Sequence, residues 1–394
     1  MRLLKDIVLL LLIVSFINDD FVVDKIAGEN SLKIIFGLFI IVHIKDIILA
    51  FKAPSNNVMK AFYLFIVILS ISVLINALLG YTTLIKGLQV IIAISVVFIY
   101  FSRYHDLDKL LYFVWSAVIM SAIISLFNEP SDQWTYRISG GTGDQNEFSV
   151  HLLTGMGIGI YLFQKHKNLF LLLSTSTLFL YALLYAGSRS AMLALALVVL
   201  YTMFVRFSYL LKKLFSIKVL ILFLIIGIFA AQYDFSKMTA IKGMQERAGN
   251  LGTAHERFIS WKAGSRMIQD NFLLGVGVDN YEKHAREYAV DFIDEGSLAP
   301  HNILVKIFAE TGFFPFVAFL IFIYVLLRTK FSLILRSDYY WLSLVAYVNL
   351  FMGLTLSITY EKYFWMSLAL LANAIFVVSS SQEEQEYENS PHFA

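Results

Sequence analysis

Three runs of this sequence contain no Asp, Glu, Lys, Arg or His: Ala61–Ile85 over 25 residues, Tyr339–Tyr360 over 22 and Asn168–Ser188 over 21. Each is long enough to cross a hydrocarbon core of about 30 Å as a helix. Charged residues make up 15% of the chain, where soluble domains carry about 25%, and mean hydropathy is +0.71. A membrane protein is therefore expected. The net charge of +2 leaves no footprint for nucleic acid. The absence of cysteine excludes disulfides, thiol catalysis and cysteine-ligated metals. With 35 Phe and only 5 Pro, the composition fits lipid-facing helices better than a polar channel wall.

Apolar stretches lie at about 3–17, 31–51, 58–79, 82–101, 110–127, 147–163, 168–186, 190–205, 217–233, 301–327, 339–359 and 363–379, which predicts about 12 transmembrane helices. The first, behind Arg2 and Lys5, lacks a small-x-small cleavage site and reads as an uncleaved span. The second is interrupted by His43, Lys45 and Asp46. Lys and Arg concentrate in alternate short loops, among them Lys52 and Lys60, Arg103 and Lys109, and Arg328, Lys330 and Arg336. The positive-inside rule then puts both termini in the cytoplasm. Some 67 residues, Asp234–Pro300, fall on the outer side, longer than any other loop and rich in charge. A loop of that length is expected to be a folded, functional subdomain. The expected organisation is five helices in 1–136, four in 137–233, a large outer loop in 234–300, three helices in 301–379, and an acidic cytoplasmic tail in 380–394 that reads as disordered.

Ionisable groups at a membrane are costly and so mark function by default. Four outer places concentrate them. The glycine-rich Arg137–Glu147 loop leads into the sixth span, and a turn plus helix cap explains it equally well. Arg189, in Gly187-Ser188-Arg189-Ser190, stands at a hairpin end, where a snorkelling role would also suffice. Arg257 and Arg266 lie on a helical stretch nine residues apart, about half a turn out of phase, so only one can face a given pocket. Arg257 is on the more apolar side with Trp261, although a surface arginine is the simpler reading. Last, Pro300-His301-Asn302 opens the tenth span, followed by Lys306 and Glu310 at i,i+4 spacing, a pair able to neutralise itself. Proline suits a first helical turn, and the dipole there disfavours an imidazolium, which leaves His301 neutral and able to accept a proton. A structural histidine is the competing reading. Arginine forks bind phosphate oxygens bidentately, so the cluster points to an anionic lipid-linked substrate. No metal-binding motif is present, and neither a metal nor another cofactor is expected.

Arg137-x-x-Gly140, Asp144-x-Asn146-Glu147-Phe148, Gly187-Ser188-Arg189-Ser190, Arg257-x-x-x-Trp261 leading to Leu273-Leu274-Gly275-Val276-Gly277-Val278-x-Asn280-Tyr281, and His301-Asn302-x-Leu304 with Glu310-x-Gly312 resemble the O-antigen ligase and Wzy-type polymerase superfamily in order and spacing. The likeness runs from about 137 to 315, and Gln145 stands where that family usually has proline. The resemblance implies an all-α, GT-C-like glycosyltransferase of the bacterial inner membrane, multi-pass, with its active site on the periplasmic side. Its donor would be a glycan on undecaprenyl pyrophosphate and its acceptor a second glycan. Arg189 and Arg257 would bind the pyrophosphate, and His301 would act as general base with inversion. Arg137, Asn146, Arg266, Asn302 and Glu310 would be further substrate-binding candidates, Glu310 as a supporting group. A polysaccharide chain-length regulator is a possible partner of such a polymerase.

Length and a Phe-rich, low-alanine composition favour polymerase over ligase, the ligase acceptor being a lipid A core sugar. A transporter or flippase of lipid-linked sugars would instead string ionisable groups through several spans. A SEDS-type peptidoglycan glycosyltransferase would depend on a loop acid, for which Asp279 and Asp291 are available.

Overall fold

The computed structural model describes the chain apart from residues 1, 23–29, 54, 128–137, 143, 215–251, 290–297 and 389–394; the side chains of 206–214, 252–256 and 381–388 are likewise outside the described set. Arg137, Asp291, the expected span at 217–233 and much of the expected outer loop lie outside the described residues. All regular structure among the described residues is helical. The N-terminal helices are α1 (Arg2–Ile17), α2 (Asp19–Val22), α3 (Ser31–Lys52), α4 (Asn57–Leu78), α5 (Leu84–Ser102), α6 (Leu107–Phe127) and α7 (Gln145–His166). Then come α8 (Leu169–Ser174), a π turn (Thr175–Phe179), α9 (Leu180–Ala186) and α10 (Arg189–Leu214). The C-terminal part has α11 (Gly252–Asp270), α12 (Tyr281–Tyr288), α13 (Ile303–Thr311), α14 (Phe313–Arg328), α15 (Phe331–Arg336), α16 (Tyr340–Gly353) and α17 (Lys362–Glu388).

Among the described residues, six helical segments are long and apolar enough to cross a bilayer: α3, α4, α5, α6, the stretch Leu169–Ala186, and Lys362–Ser380 of α17. Three shorter apolar helices, Arg189–Val205, Phe313–Arg328 and Tyr340–Gly353, accompany them. The protein is an all-α, multi-pass membrane protein. One of the twelve expected spans lies outside the described residues, and several others differ for local reasons. The stretch 301–327 is two helices, because the chain breaks at Gly312 with φ +82. The stretch 339–359 is helical only through Gly353, after which Thr355 and Thr359 lie in turns and Ser357 in irregular chain. The first span is a helix of 16 residues. The acidic stretch from Glu383 continues α17 as helix through Glu388, as Glu and Gln are good helix formers.

Phenylalanine fills the interior as well as facing lipid. Phe62 of α4, Phe98 of α5, Phe322 of α14 and Trp365 of α17 form one aromatic knot, with Phe62 stacked on Phe98 at 4.1 Å and Phe98 edge-on to Phe322 at 5.2 Å. Lipid tails are as apolar as these side chains, so close packing and interhelical hydrogen bonds must hold the helices together. Aromatic pairs add about 0.5–1.5 kcal/mol beyond area burial. Buried amides supply the hydrogen bonds. Asn373 donates to the carbonyls of Phe101 and Tyr104, each at 2.9 Å, and Asn349 donates to Thr154 Oγ1 at 3.0 Å.

Helices α11, α12 and α13 share a second, smaller core built on Ala263, Met267, Tyr281, Ala285 and Ala309. A short junction fastens it to the main bundle. Val276 N–H donates to the Ala309 carbonyl and Gly277 N–H to that of Glu310, both at 2.9 Å. Asn76 and Ser72 of α4 donate to the Leu274 and Thr311 carbonyls, both at 2.8 Å. Two glycines make this approach possible: a Cβ on Gly312 would lie 2.2 Å from the Leu273 carbonyl oxygen, and one on Gly275 2.5 Å from that of Glu310.

Candidate functional site

His301 is placed by its neighbours from both sides. Ser260 Oγ of α11 donates to the Leu298 and Ala299 carbonyls at 3.0 and 2.9 Å, and Trp261 Nε1 donates to the Pro300 carbonyl at 2.8 Å. His301 itself has φ +42, and its N–H donates to Ser357 Oγ at 2.9 Å. The turn between α16 and α17 thus holds the backbone of the histidine. Pro300 is not in a first helical turn, as the sequence had implied. Helix α13 starts at Ile303, and Asn302 caps it by accepting from Leu304 and Val305 N–H at 2.9 and 3.2 Å. His301 is therefore one residue outside the cap. Its Nδ1 is buried with no hydrogen-bond partner among the described residues.

Burial lowers the His301 pKa below its ordinary value of 6.5; the Arg257 charge lowers it further, and the Asp144 carboxylate opposes both. Groups far apart in sequence therefore share one electrostatic neighbourhood. Arg257, near the start of α11, reaches it from one side. Asp144 reaches it from the glycine-rich loop, whose role as turn and cap is also real: Asp144 Oδ1 accepts from Asn146 and Glu147 N–H at 2.6 and 3.0 Å. That loop is held by Phe21 N–H donating to the Gly141 carbonyl and by Ile138 N–H donating to the Tyr185 carbonyl, at 3.0 and 3.4 Å. The second of these bonds joins the loop to the end of α9, two residues before Gly187 ends the helix with φ +61. Ser188 Oγ accepts from Ala191 N–H at 3.3 Å, and Arg189 stands exposed as the first residue of α10.

Arg189 and Arg257 have partners within the protein, as do the other sequence candidates. Arg266, half a turn from Arg257, donates through Nη1 to the Tyr288 carbonyl at 2.8 Å and so ties α11 to α12. Asn302 Oδ1 is occupied by the helix cap. Asn146 sits at the start of α7 beside the Asp144 cap. Glu310 is fully buried; one carboxylate oxygen accepts from Tyr281 N–H at 3.0 Å and the other from the Tyr360 hydroxyl. Lys306 lies over the Tyr360 ring at 4.9 Å, and its charge also acts on Glu310. Glu310 is thus a strut joining α12, α13 and the turn before α17.

Sequence reasoning missed an acidic group on the same end of the bundle. The Tyr363 hydroxyl, buried without a hydrogen-bond partner among the described residues, lies in the field of Glu147, Glu361, Asp144 and Asp19. Burial, and then the Glu361 carboxylate, push the Asp19 pKa up to about 6. The signal was present in Asn18-Asp19-Asp20 and in Tyr360-Glu361-Lys362, each at the end of an apolar stretch, but nothing in the sequence showed that these ends meet. Among the described residues, no group of three or more His, Asp or Glu is arranged to hold a metal ion.

Residues 174–323 match the family model described as O-antigen ligase. The matched part includes Arg189, Arg257 and His301, whereas Asp144 and Asn146 lie before it. No curated protein matches the chain. Over residues 174–323, the chain carries the signature of the O-antigen ligase and Wzy-type polymerase superfamily.

Proposed function

We propose that this protein is an inverting GT-C-type glycosyltransferase that polymerises oligosaccharide units carried on undecaprenyl pyrophosphate into a surface polysaccharide. What carries the reading is the placement of His301, with its buried Nδ1, unpartnered among the described residues, beside the Arg257 charge, within the matched family segment. In this reading the acceptor hydroxyl gives its proton to His301 as its oxygen bonds to the anomeric carbon of the donor. The bond from that carbon to the pyrophosphate oxygen breaks on the opposite face, which inverts the configuration. The lipid pyrophosphate leaves as an anion and needs no proton, and Arg257 and Arg189 stabilise its developing charge. Arg137 adds a further positive contact. Glu310 and Arg266 hold the α11–α13 unit in place. Tethering donor and acceptor in one leaflet supplies much of the rate through proximity. The reaction runs on the periplasmic side of the inner membrane, where a chain-length regulator would act on the same polymer.

The family description favours a second reading, transfer of a finished glycan to a lipid A core sugar. Purified protein in vesicles, given lipid-linked repeat units alone, is expected to yield a ladder of extended products, each new linkage inverted. A single transfer that occurs only when lipid A core is added would assign the ligase reaction instead. No transfer under either condition would overturn both.

A further inference from the structure

The turn that leaves α11 carries Phe272 and Leu273 on the outside of the molecule, Leu273 at 56% exposure, in a segment whose charge reads as an aqueous loop. Single exposed apolar side chains are ordinary, but these two belong to a larger surface. The backbone seats the turn across the ends of two apolar helices. On one side Phe313 N–H, at the start of α14, donates to the Phe272 carbonyl at 3.0 Å, and the two rings stack at 5.1 Å. On the other, Asn76 near the end of α4 donates to the Leu274 carbonyl at 2.8 Å. Helices α4 and α14 pack against each other, and each exposes a row of apolar side chains at helical spacing. The α4 row runs through Leu74 and ends at Leu78; the α14 row begins at Phe314 and runs on through Ile321. These rows face lipid, and the turn stands where one ends and the other begins.

Helix length says how deep the turn lies. The 16 residues of α14 rise about 24 Å, roughly 6 Å less than a hydrocarbon core of about 30 Å. Arg328 ends α14 and Lys330 follows, and such groups belong among headgroups. The shortfall therefore falls at the Phe313 end, beside Phe272 and Leu273. Polar groups bracket the turn on both sides. Gln269 and Asp270 are exposed just before it, and after it Asp279 pairs with Lys86 of α5 at 2.8 Å with both side chains about half exposed. Apolar depth is thus confined to the turn itself.

We propose that Phe272 and Leu273 insert into the acyl edge of the leaflet they face, so that lipid covers them and anchors the α11–α13 unit to the membrane surface. The assignment is independent of the reaction at His301. Nitroxide labels on single cysteines in the otherwise cysteine-free full-length chain test it, with the protein in phosphatidylcholine vesicles. Leu273→Cys is the probe, Ile321→Cys the lipid reference and Lys283→Cys on α12 the water reference; all three native side chains are exposed. Oxygen concentrates in lipid and nickel ethylenediaminediacetate stays in water, so the ratio of collision rates reports depth. The label at 273 is expected to meet oxygen several times more often than nickel, as at 321, with the reverse at 283. Phe272→Cys should agree and supplies a second position should the first variant fold poorly. A nickel-dominated ratio at 272 and 273, matching 283, would put the turn in water and overturn the proposal. Protection from both reagents would mean that protein, such as a second copy of this chain, covers the turn, and would overturn it equally.

Discussion

His301 combines a left-handed backbone, a hydrogen bond from its N–H to Ser357, and a buried ring nitrogen without a partner among the described residues. Left-handed conformations in residues other than glycine persist where surrounding structure enforces them, and they gather at functional sites. A proton acceptor must be neutral before it can act, so activity should fail only as pH drops below the lowered His301 pKa, placing the acid limb of the pH–rate profile below 6.5. Its neighbours should move that limb in opposite directions. Arg257→Gln removes a charge that disfavours imidazolium and should shift the limb to higher pH, while Asp144→Asn should shift it to lower pH. Coincident limbs in all three proteins would show that His301 does not set the profile. A separate comparison concerns the arginine forks. Arg189→Lys and Arg257→Lys keep the charge but lose bidentate geometry, so turnover should fall about tenfold or more if 1.5–3 kcal/mol of charge-assisted bonding is lost. Full turnover in both lysine variants would leave these arginines as anchors. Arg257 and His301 stand out in the sequence by residue type and motif, and the structure brings the Arg257 charge to bear on His301. Ser357 as the holder of the histidine was not legible there, since 56 residues and four helices separate them in sequence.

The α11–α13 unit depends on one buried carboxylate and one glycine. Removing the Glu310 carboxylate in Glu310→Ala leaves the Tyr281 N–H and Tyr360 hydroxyl without their acceptor, at a cost of about 1–3 kcal/mol for each buried group. Gly312→Ala forces a Cβ against the Leu273 carbonyl at φ +82 and should destabilise the same junction. Limited proteolysis and thermal unfolding in detergent should show both variants opened at the α11–α13 unit, with the main bundle intact; wild-type protease resistance in both would contradict the strut. Helix limits were legible where polar residues bracket long apolar runs, as in α4 and α5. They were misjudged where an apolar run passes through a turn: Leu354 to Ile358 looks like span by hydropathy, yet Thr355 and Ser357 alternate through it and the helix has already ended at Gly353. At Gly312 the signal was Glu310-Thr311-Gly312 followed by Pro315, a short polar interruption between two apolar runs.

At the scale of the whole chain, the family-matched segment meets α7 and α17 at one end of the bundle, and a hollow lined by Arg2, Lys5, Arg103 and Lys109, with Asp6 and Asp46, occupies the other. That polarity predicts orientation. The cysteine-free chain allows single labels, and Lys283→Cys on α12 should react with an impermeant maleimide from the periplasmic side while Lys330→Cys after α14 should not. Reaction at position 330 alone would invert the topology. The membrane class was legible because lipid imposes one strong constraint, apolar helices of sufficient length; the meeting of Asp19, Asp144, Glu147 and Glu361 was not, because tertiary proximity leaves no mark on local periodicity. The central claim is a reaction in which His301 accepts the acceptor proton. Its most direct test is the rate of glycan extension by purified wild type, His301→Ala and the control His284→Ala, at equal amounts of folded protein with lipid-linked repeat units. The account predicts a loss of about a hundredfold or more for His301→Ala and near wild-type rates for His284→Ala. A His301→Ala enzyme that extends glycan at the wild-type rate would contradict it.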